Sequence, residues 1–188
     1  QLGQGAWLAE LSQITVVSDF RTRDIAAGGQ GAPLVPAFHA GLFGQKQAQV
    51  VVNIGGIANV TVLAPESASI LGFDTGPGNL LLDAWCARHL GTQWDENGHW
   101  AAQGKVLPEL LASWLADPYF ALAAPKSTGR DYFNLAWVDA AVKPGMAPVD
   151  VQATLLALTV SSIAQAVTQV CPLAERVLVC GGGAHNGY

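Results

Sequence analysis

The chain has little charge, few cysteines and no unbroken apolar run long enough to cross a membrane. Only 12% of its 188 residues are charged, and 9 Lys and Arg against 14 Asp and Glu give a net charge of -5. The basic residues are scattered, so the surface lacks the positive patch that nucleic acid or anionic lipid requires. Polar or small residues interrupt each apolar run before the roughly 20 residues of a bilayer span. We therefore expect no nucleic-acid partner, no membrane segment and a cytoplasmic location.

Cysteine and histidine do not form the patterns of a disulfide framework or a zinc site. The three cysteines are Cys86, Cys171 and Cys180, with no C-x-x-C spacing, and the four histidines include no metal-binding pair. We therefore predict no protein-held metal and a reducing compartment. The hydrolase elbow G-x-S-x-G, the Walker A loop and the strict G-x-G-x-x-G fingerprint are also missing. The chain starts at Gln1 and stops in a glycine loop, so we expect a fragment truncated at both ends.

Hydrophobic residues make up 51% of the chain, and their patterns alternate between strand and helix periods, which predicts an α/β fold. Asn79 and Asp150 are predicted helix caps. The predicted elements are a helix over 6–12, a buried strand over 14–17, a helix from Pro33, a hairpin of 50–54 and 59–63, a short strand over 70–73, helices from Leu80, over 108–115 and over 150–170, and a buried parallel strand over 176–180.

Four glycine-rich segments lie at the ends of these elements. They are Gly28–Gly31, Gly55-Gly56, Gly76–Gly78 and Gly181–Gly183. In open α/β sheets ligands bind beyond the carboxyl ends of strands, where glycine lets backbone N–H groups approach an anion. A single glycine loop is more often only a turn. Four together predict a phosphate or sugar site.

Asp74 is the best candidate for chemistry, because the pattern places it at the end of a strand, before a glycine loop. Partial burial there would keep its carboxylate basic near neutral pH and let it remove a proton from water or a hydroxyl. The alternative is an Asx turn in which Asp74 only accepts local backbone hydrogen bonds. The residues alone do not separate these two interpretations.

Other charged and aromatic residues are weaker candidates. Arg21 and Arg23 point the same way if the strand before them continues, and their guanidinium groups suit a carboxylate or phosphate. An ion pair with Asp19 or Asp24 is the plainer interpretation of both. Lys126 and Arg130 flank a loop that could make a second anion contact, although a solvated loop with two charges is the commoner explanation, and Asp83 is expected to pair with Arg88 or to face solvent. Trp94 and Trp100, although more typical of a core, are also able to flank a sugar.

With these residues in view, five segments resemble the anhydro-N-acetylmuramic acid kinase family in the same order along the chain. The segments are 19–36 (DFRTRD through AAGGQGAPLVP), 53–60 (NIGGIANV), 72–79 (GFDTGPGN), 125–130 (PKSTGR) and 180–186 (CGGGAHN). The resemblance covers nearly the whole chain. It implies an actin-like, RNase H-like ATPase fold of two α/β domains around a cleft, with residues 1–46 ending the first domain and 47–188 forming most of the second.

The resemblance also implies an ATP-dependent reaction of peptidoglycan recycling. Water opens the anhydro bridge of 1,6-anhydro-N-acetylmuramic acid, and the 6-oxygen receives a phosphoryl group. Asp74 matches the catalytic carboxylate that activates the water. Substrate contacts are implied for Arg23, Arg21 and Gly76, and nucleotide contacts for Gly55, Gly56, Gly181, Gly182, Gly183 and Asn186. Mg²⁺ would neutralise phosphate charge.

Three departures accompany this resemblance. Family members are about twice as long, and neither their N-terminal phosphate loop nor the C-terminal part of their second domain, with a further acidic residue, is found here. The resemblance leaves a homodimer as an expectation. A levoglucosan kinase is the nearest alternative enzyme, because its anhydroglucose substrate lacks the lactyl carboxylate that Arg21 and Arg23 would hold. A noncatalytic nucleotide-binding fragment is the alternative from a different class.

Overall fold

The protein has a mixed α/β architecture in a computed structural model that describes residues 4–44, 46–65 and 70–188. The helices within these ranges are α1 (Gly5–Ser12), α2 (Phe20–Ala26), α3 (Pro36–Phe43), α4 (Leu80–Leu90), α5 (Pro108–Leu115), α6 (Pro118–Ala121), α7 (Leu135–Asp139) and α8 (Pro148–Val170). The strands are β1 (Gln49–Ile54), β2 (Ile57–Leu63), β3 (Leu71–Pro77) and β4 (Arg176–Cys180), and short 3₁₀ turns cover Glu96–Gly98, Ala101–Gln103 and Gly182–His185.

The four strands form one sheet in the order β3-β2-β1-β4. Strands β1, β2 and β3 are an antiparallel meander, and β4 pairs parallel with β1. The predicted hairpin with its Gly55-Gly56 tip is therefore confirmed, as is the parallel direction of the last strand. Connections of this kind follow from loop length, because two residues suffice for a hairpin whereas a parallel return needs a long crossover.

The two faces of the sheet pack against different helices. Val50, Val52, Val60 and Phe73 point to the face that α8 covers, through Ala166 and its neighbours. A second apolar cluster joins α4, α5, α7 and α8 around the fully buried Phe133. The opposite face carries the alternate residues of each strand, and α3 packs against part of it. Side-chain alternation along a strand therefore separates the helical core from the face on which Asp74 lies.

Helix α8 is the one helix in the described part of the chain that is long and apolar enough to pass a test for a membrane span, and 50% of its apolar window is buried inside the protein. The sequence analysis predicts no membrane segment here, because polar residues interrupt the apolar run. Four of those polar residues, Gln152, Thr154, Thr159 and Ser162, are buried against the fold. Its contacts with α4, α5, β2 and β3 are those of a core helix.

The predicted buried strand over 14–17 is wrong. This segment forms no strand, and the side chains of Ile14 and Val17 are 67% and 71% exposed. β-Branched residues favour an extended backbone, but a strand is buried only when a neighbour pairs with it. None of the four strands pairs with this segment in the described ranges. The helix predicted just before it is confirmed as α1.

Strand β4 lies at the edge of the sheet and is not buried as predicted. Val177 and Val179 are 50% and 52% exposed, because β4 pairs with β1 only. An apolar run does not by itself distinguish a central strand from an edge strand.

Two predicted helix starts are also corrected. Helix α3 begins at Pro36 rather than Pro33, and α8 has Ala147 at its N-cap, with Asp150 in the first turn. The Asp150 carboxylate instead accepts a hydrogen bond from the backbone N–H of Lys105 at 2.7 Å.

The contact between α3 and the sheet leads to a testable prediction. His39 is buried, its Nδ1 lies 2.8 Å from Thr61 Oγ1, and burial lowers the pKa of its imidazole. The unfolded chain therefore takes up this proton first as the pH falls below about 6.5. We expect the free energy of unfolding to decrease from that pH downward, and His39→Gln to remove part of the decrease. Urea unfolding between pH 5 and 8 measures the free energy of unfolding. The control is His99→Gln, because His99 is exposed. If the free energy of unfolding depends on pH equally in the two variants, the prediction is contradicted.

Candidate active site

Three of the glycine loops predicted from the sequence meet at one end of the sheet. The backbone N–H groups of Gly78 and Leu80 donate to the carbonyl oxygen of Gly56 at 2.9 and 3.0 Å, and that of Asn79 donates to Gly55 at 2.8 Å. These bonds join the tip of the β1–β2 hairpin to the start of α4. We call this arrangement of Gly55, Gly56 and Gly78–Leu80 the glycine junction.

Glycine is required at this junction because backbones approach each other too closely for a side chain. A Cβ on Gly78 would lie 2.3 Å from the carbonyl oxygen of Gly55, and one on Gly181 would lie 2.6 Å from that of Ile54. Gly181 also has a φ of +87°, in the region that side chains disfavour. The loop after β4 therefore packs directly on the end of β1. The fourth loop, Gly28–Gly31, is not part of this cluster and connects α2 to α3.

A cavity of about 490 Å³ adjoins the glycine junction. Its volume is in the range of small-molecule sites. Three of the residues for which the resemblance implies nucleotide contacts, Gly182, Gly183 and Asn186, line this cavity. Its other lining residues are Asn79, Asp83, Trp94, Asp95, Glu96, Asn97 and His185. The carboxylates on this side suit hydroxyl or amino groups rather than phosphate, while the glycine junction has no acidic side chain. The cavity therefore fits a ligand with a polar neutral end and an anionic end.

Sequence reasoning singled out Trp94 but missed the contribution of Asp95, Glu96, Asn97 and Asp83 to this cavity. Of the two alternatives for Asp83, the pair with Arg88 is not found, because Arg88 forms its salt bridge with Asp139 at 2.6 Å. Burial raises the pKa of the Asp83 carboxyl, and the charge of Arg130 partly opposes this. Asn79 occupies the N-cap position of α4 but makes no capping bond; its amide donates to the Ile54 carbonyl at 3.4 Å.

Asp74 lies inside β3, not at its end, and is only 4% exposed. Ala58 pairs with Gly76 and Asn59 with Asp74, so Thr75 is an extra residue in β3. Such bulges re-aim side chains and are frequent next to active sites. Gly78 lies 4 residues after Asp74, so an extended backbone puts the glycine junction about 13 Å from Asp74. Gly76 has a φ of +147°, and a Cβ there would lie 2.8 Å from the Phe120 ring, so this position admits no side chain.

The Asp74 residue is held by a loop and a helix that are distant in sequence. Its Oδ2 accepts hydrogen bonds from Ser127 Oγ at 2.9 Å and from the backbone N–H of Thr128 at 3.0 Å. Its backbone N–H donates to the Lys126 carbonyl at 2.9 Å, and its carbonyl accepts from the Tyr119 hydroxyl at 2.6 Å. None of these is the local Asx turn considered from the sequence. Segment 125–130 thus orients this carboxylate.

The environment of Asp74 makes its carboxylate a stronger base than usual. Burial raises the pKa of the Asp74 carboxyl, while the Thr128 N–H, the Ser127 hydroxyl and the charge of Arg21 oppose the rise without cancelling it. A carboxylate whose pKa is raised accepts a proton more readily than an exposed one. The site is therefore able to deprotonate a bound water or hydroxyl.

The two arginines do not share one face, because Arg21 and Arg23 lie on helix α2 rather than on a strand. Residues two apart on a helix point in nearly opposite directions. The charge of Arg21 reaches Asp74, whereas no such interaction is found for Arg23. Neither pairs with Asp19 or Asp24 within the described ranges.

Lys126 is not available as the second anion contact that the sequence suggested. Its Nζ donates to the Tyr119 and Phe120 carbonyls at 2.9 and 3.2 Å and lies 4.6 Å from the centre of the Tyr119 ring. Burial lowers the pKa of its ammonium group. Lys126 therefore fastens the 125–130 segment to α6.

No three Asp, Glu, His or Cys side chains converge in the part of the chain that the structure describes. A Mg²⁺ ion bound with a nucleotide does not need such a cluster, because it usually takes its ligands from phosphates, waters and one or two carboxylates. Asp83, Asp95 and Glu96, which lie beside the glycine junction, are carboxylates of the kind that Mg²⁺ accepts when phosphates and waters supply its other ligands.

Comparison with known proteins identifies the family. The family model for anhydro-N-acetylmuramic acid kinase matches residues 1–188. Curated relatives named anhydro-N-acetylmuramic acid kinase include that of Cupriavidus pinatubonensis (57% identical; 97% of this chain and 50% of the relative), that of Nitrosospira multiformis (54%; 100% and 51%) and that of Bordetella pertussis (57%; 99% and 50%). The chain spans about half the length of these relatives. A match over every residue of the chain, with identity above one half, shows that it belongs to the anhydro-N-acetylmuramic acid kinase family.

Proposed function

We propose that this chain provides the catalytic base and part of the nucleotide site of an ATP-dependent kinase. The enzyme opens 1,6-anhydro-N-acetylmuramic acid with water and phosphorylates its 6-oxygen, as in peptidoglycan recycling. The observation that carries the proposal is the buried carboxylate of Asp74, fixed by Ser127 and Thr128 on a strand that leads into the glycine junction. The names of the relatives favour the muramyl sugar over levoglucosan.

In the proposed reaction, a water oxygen forms a bond to the anomeric carbon as Asp74 takes one of its protons. The bond between that carbon and the bridging 6-oxygen breaks, and its electron pair stays on the 6-oxygen. That oxygen bonds to the γ-phosphorus, and the bond from this phosphorus to the β–γ bridging oxygen breaks. The products are N-acetylmuramic acid 6-phosphate, ADP and one proton.

The nucleotide would lie across the glycine junction and the adjoining cavity. The backbone of Gly55 and Gly56 suits the phosphates, because glycine there exposes main-chain groups. Gly181–Gly183 and Asn186 would contact the adenosine end, where Asp83, Asp95 and Glu96 offer acceptors for hydroxyl or amino groups. Mg²⁺ would supply charge neutralisation on the phosphates. Gly76 would let the sugar approach the backbone of β3.

We also propose the actin-like arrangement, with residues 1–46 belonging to one domain and 47–188 to another. Large apolar side chains of α1–α3 that are exposed to solvent support this division; they include Trp7, Leu11, Phe38 and Leu42. Soluble single domains seldom expose so many together, which is typical of a surface that another part of a protein covers. A cytoplasmic location fits a kinase that uses ATP. A homodimer remains a prediction from the sequence.

A comparison of two sugars tests the proposed function. ADP release should be measured in a protein of the relatives' full length that contains this chain, with anhydro-N-acetylmuramic acid and with 1,6-anhydroglucose. We expect the muramyl sugar to be preferred at least about 10-fold in kcat/KM, since a forked guanidinium bond to the lactyl carboxylate contributes about 1.5–3 kcal/mol.

Variants of the two arginines identify which one makes that bond. We expect Arg21→Ala, and to a smaller extent Arg23→Ala, to raise KM for the muramyl sugar more than KM for anhydroglucose. Loss of the Arg21 charge also raises the pKa of the Asp74 carboxyl further, and this effect is common to both sugars. Lys143→Ala, on an exposed loop, is the control. Equal rates for the two sugars, together with no effect of either arginine, would refute the muramyl assignment.

A further inference from the structure

Asn59 lies opposite Asp74 on the neighbouring strand. The two residues pair in the β2–β3 ladder, next to the bulge at Thr75. Directly opposed residues have Cβ atoms about 4.5–5.5 Å apart and point to the same side of a sheet. The register therefore puts the side chains of Asn59 and Asp74 on neighbouring strands and on the same face of the sheet, away from the α8 core.

Hydrogen-bonding capacity is left unused at this point of the sheet. The buried Oδ1 of Asn59 and the buried Oγ1 of Thr128 have no hydrogen-bond partner among the residues that the structure describes. Both side-chain hydrogen bonds found for Asp74 go to Oδ2, so its Oδ1 keeps its acceptor sites within the described ranges. Buried polar atoms are almost always satisfied by protein, water or ligand. Two such atoms, on a residue paired with Asp74 and on a residue that bonds to its carboxylate, together with the free acceptor sites of Asp74 Oδ1, indicate a binding position for a small donor.

We propose that Asn59 Oδ1 accepts a hydrogen bond from the water that Asp74 deprotonates. This inference rests on the proposed function and names the residue that aims the nucleophile. A water with one O–H directed to Asp74 Oδ1 and the other to Asn59 Oδ1 has both protons fixed, and its lone pair then points to the anomeric carbon. The Thr128 hydroxyl, which has no partner in the described ranges and belongs to a residue that bonds to Asp74, would be a third partner in this proposal, and three is the usual number for a buried water.

The bond changes are those of the proposed reaction. The oxygen–carbon bond forms, the proton on the Asp74 side moves to Oδ1, and the electron pair of the broken bridge stays on the 6-oxygen. The second proton remains on the new anomeric hydroxyl, hydrogen-bonded to Asn59. Asn59 thus orients the water without being consumed.

The test uses Asn59→Ala and Asn59→Asp in a protein of the relatives' full length that contains this chain. We expect Asn59→Ala to lower kcat roughly 10- to 100-fold, the range for losing one polar group at a reacting oxygen. KM for ATP and for the sugar should change less than about 3-fold, because the amide contacts neither.

Asn59→Asp keeps the acceptor and adds a second carboxylate beside Asp74. Like charges at this distance disfavour ionisation, so the acid limb of the pH–kcat profile should move to higher pH, with activity regained on the alkaline side. The other titratable or charged groups found around Asp74 are Arg21, Tyr119 and Lys126, and the substitution leaves all three in place.

Thr61→Val is the matched control. Thr61 lies on the same strand and the same face two residues further on, and it bonds to His39. This variant should lower the melting temperature and leave kcat and the pH profile unchanged. A purely structural Asn59 would behave in the same way.

Normal kcat in Asn59→Ala, or an unmoved acid limb in Asn59→Asp, with an active parent protein, overturns the role of Asn59 and leaves the proposed function intact. A parent protein that phosphorylates neither sugar overturns both. If Asn59→Ala does not fold, the pH profile of Asn59→Asp decides the question.

Discussion

Replacing Asp74 by Asn in a protein of the relatives' full length is expected to lower kcat at least about 100-fold, with KM values changed only a few-fold. The amide keeps an oxygen for the Ser127 and Thr128 bonds, so the shape of the site is retained while the base is lost. In the unsubstituted protein, kcat should fall with decreasing pH through the raised pKa of the Asp74 carboxyl. Steady-state kinetics from pH 4 to 8 give both results.

The same substitution should stabilise the fold at neutral pH. Because the folded-state pKa of Asp74 is raised, the folded protein binds more protons than the unfolded one between about pH 3.9 and that pKa. The free energy of unfolding therefore falls as the pH rises through this window, and the buried charge destabilises the fold above it. We expect Asp74→Asn to melt higher than the parent at pH 7 and equally below about pH 4.

Asp139→Asn is the control for both measurements, since its carboxylate forms an exposed salt bridge with Arg88. Such pairs contribute at most about 1 kcal/mol, and kcat should not change. Turnover of Asp74→Asn within a few-fold of the parent would exclude Asp74 as the base. A lower melting temperature at pH 7 would instead assign it a structural role.

Gly78→Ala is expected to abolish nucleotide binding and to destabilise the fold. The new Cβ would meet the Gly55 carbonyl oxygen at 2.3 Å and the Ala58 nitrogen at 3.2 Å, and both are backbone atoms that cannot rotate away. The hairpin tip and the start of α4 would have to separate, breaking the bonds from Gly78, Asn79 and Leu80. Loss of three backbone bonds at about 1 kcal/mol each lowers the free energy of unfolding by about 3 kcal/mol.

Denaturant unfolding and calorimetric titration with ATP or ADP measure this prediction. Gly41→Ala is the control, because Gly41 lies within α3 with no atom near the added methyl group, and alanine there should be neutral or stabilising by up to about 1 kcal/mol. If Gly78→Ala binds nucleotide like the parent, the glycine junction is not the phosphate site.

Much of the fold could be predicted because it depends on local rules. The Gly55-Gly56 hairpin, the 108–115 helix, the long helix near the C-terminus and the parallel last strand each follow from periodicity and turn residues, and all are confirmed. The predictions that are wrong depend on which segments pack beside an element in space. The pattern over 14–17 is that of a strand, but none of the described strands lies beside it. Val177 belongs to an apolar run typical of a buried strand, but it is half exposed at the edge of the sheet.

For the site, the residue types alone identified Asp74 and the glycine loops as candidates, because a carboxylate and glycines followed predicted strands. Only the tertiary structure placed Ser127, Thr128 and Tyr119 around Asp74, over 40 positions away in sequence. Only the pairing register set Asn59 opposite Asp74, and only helix α2 turned Arg21 and Arg23 apart. The chemistry of a side chain is local, but its basicity depends on burial and hydrogen-bond partners, and these are decided by which distant segments pack against it.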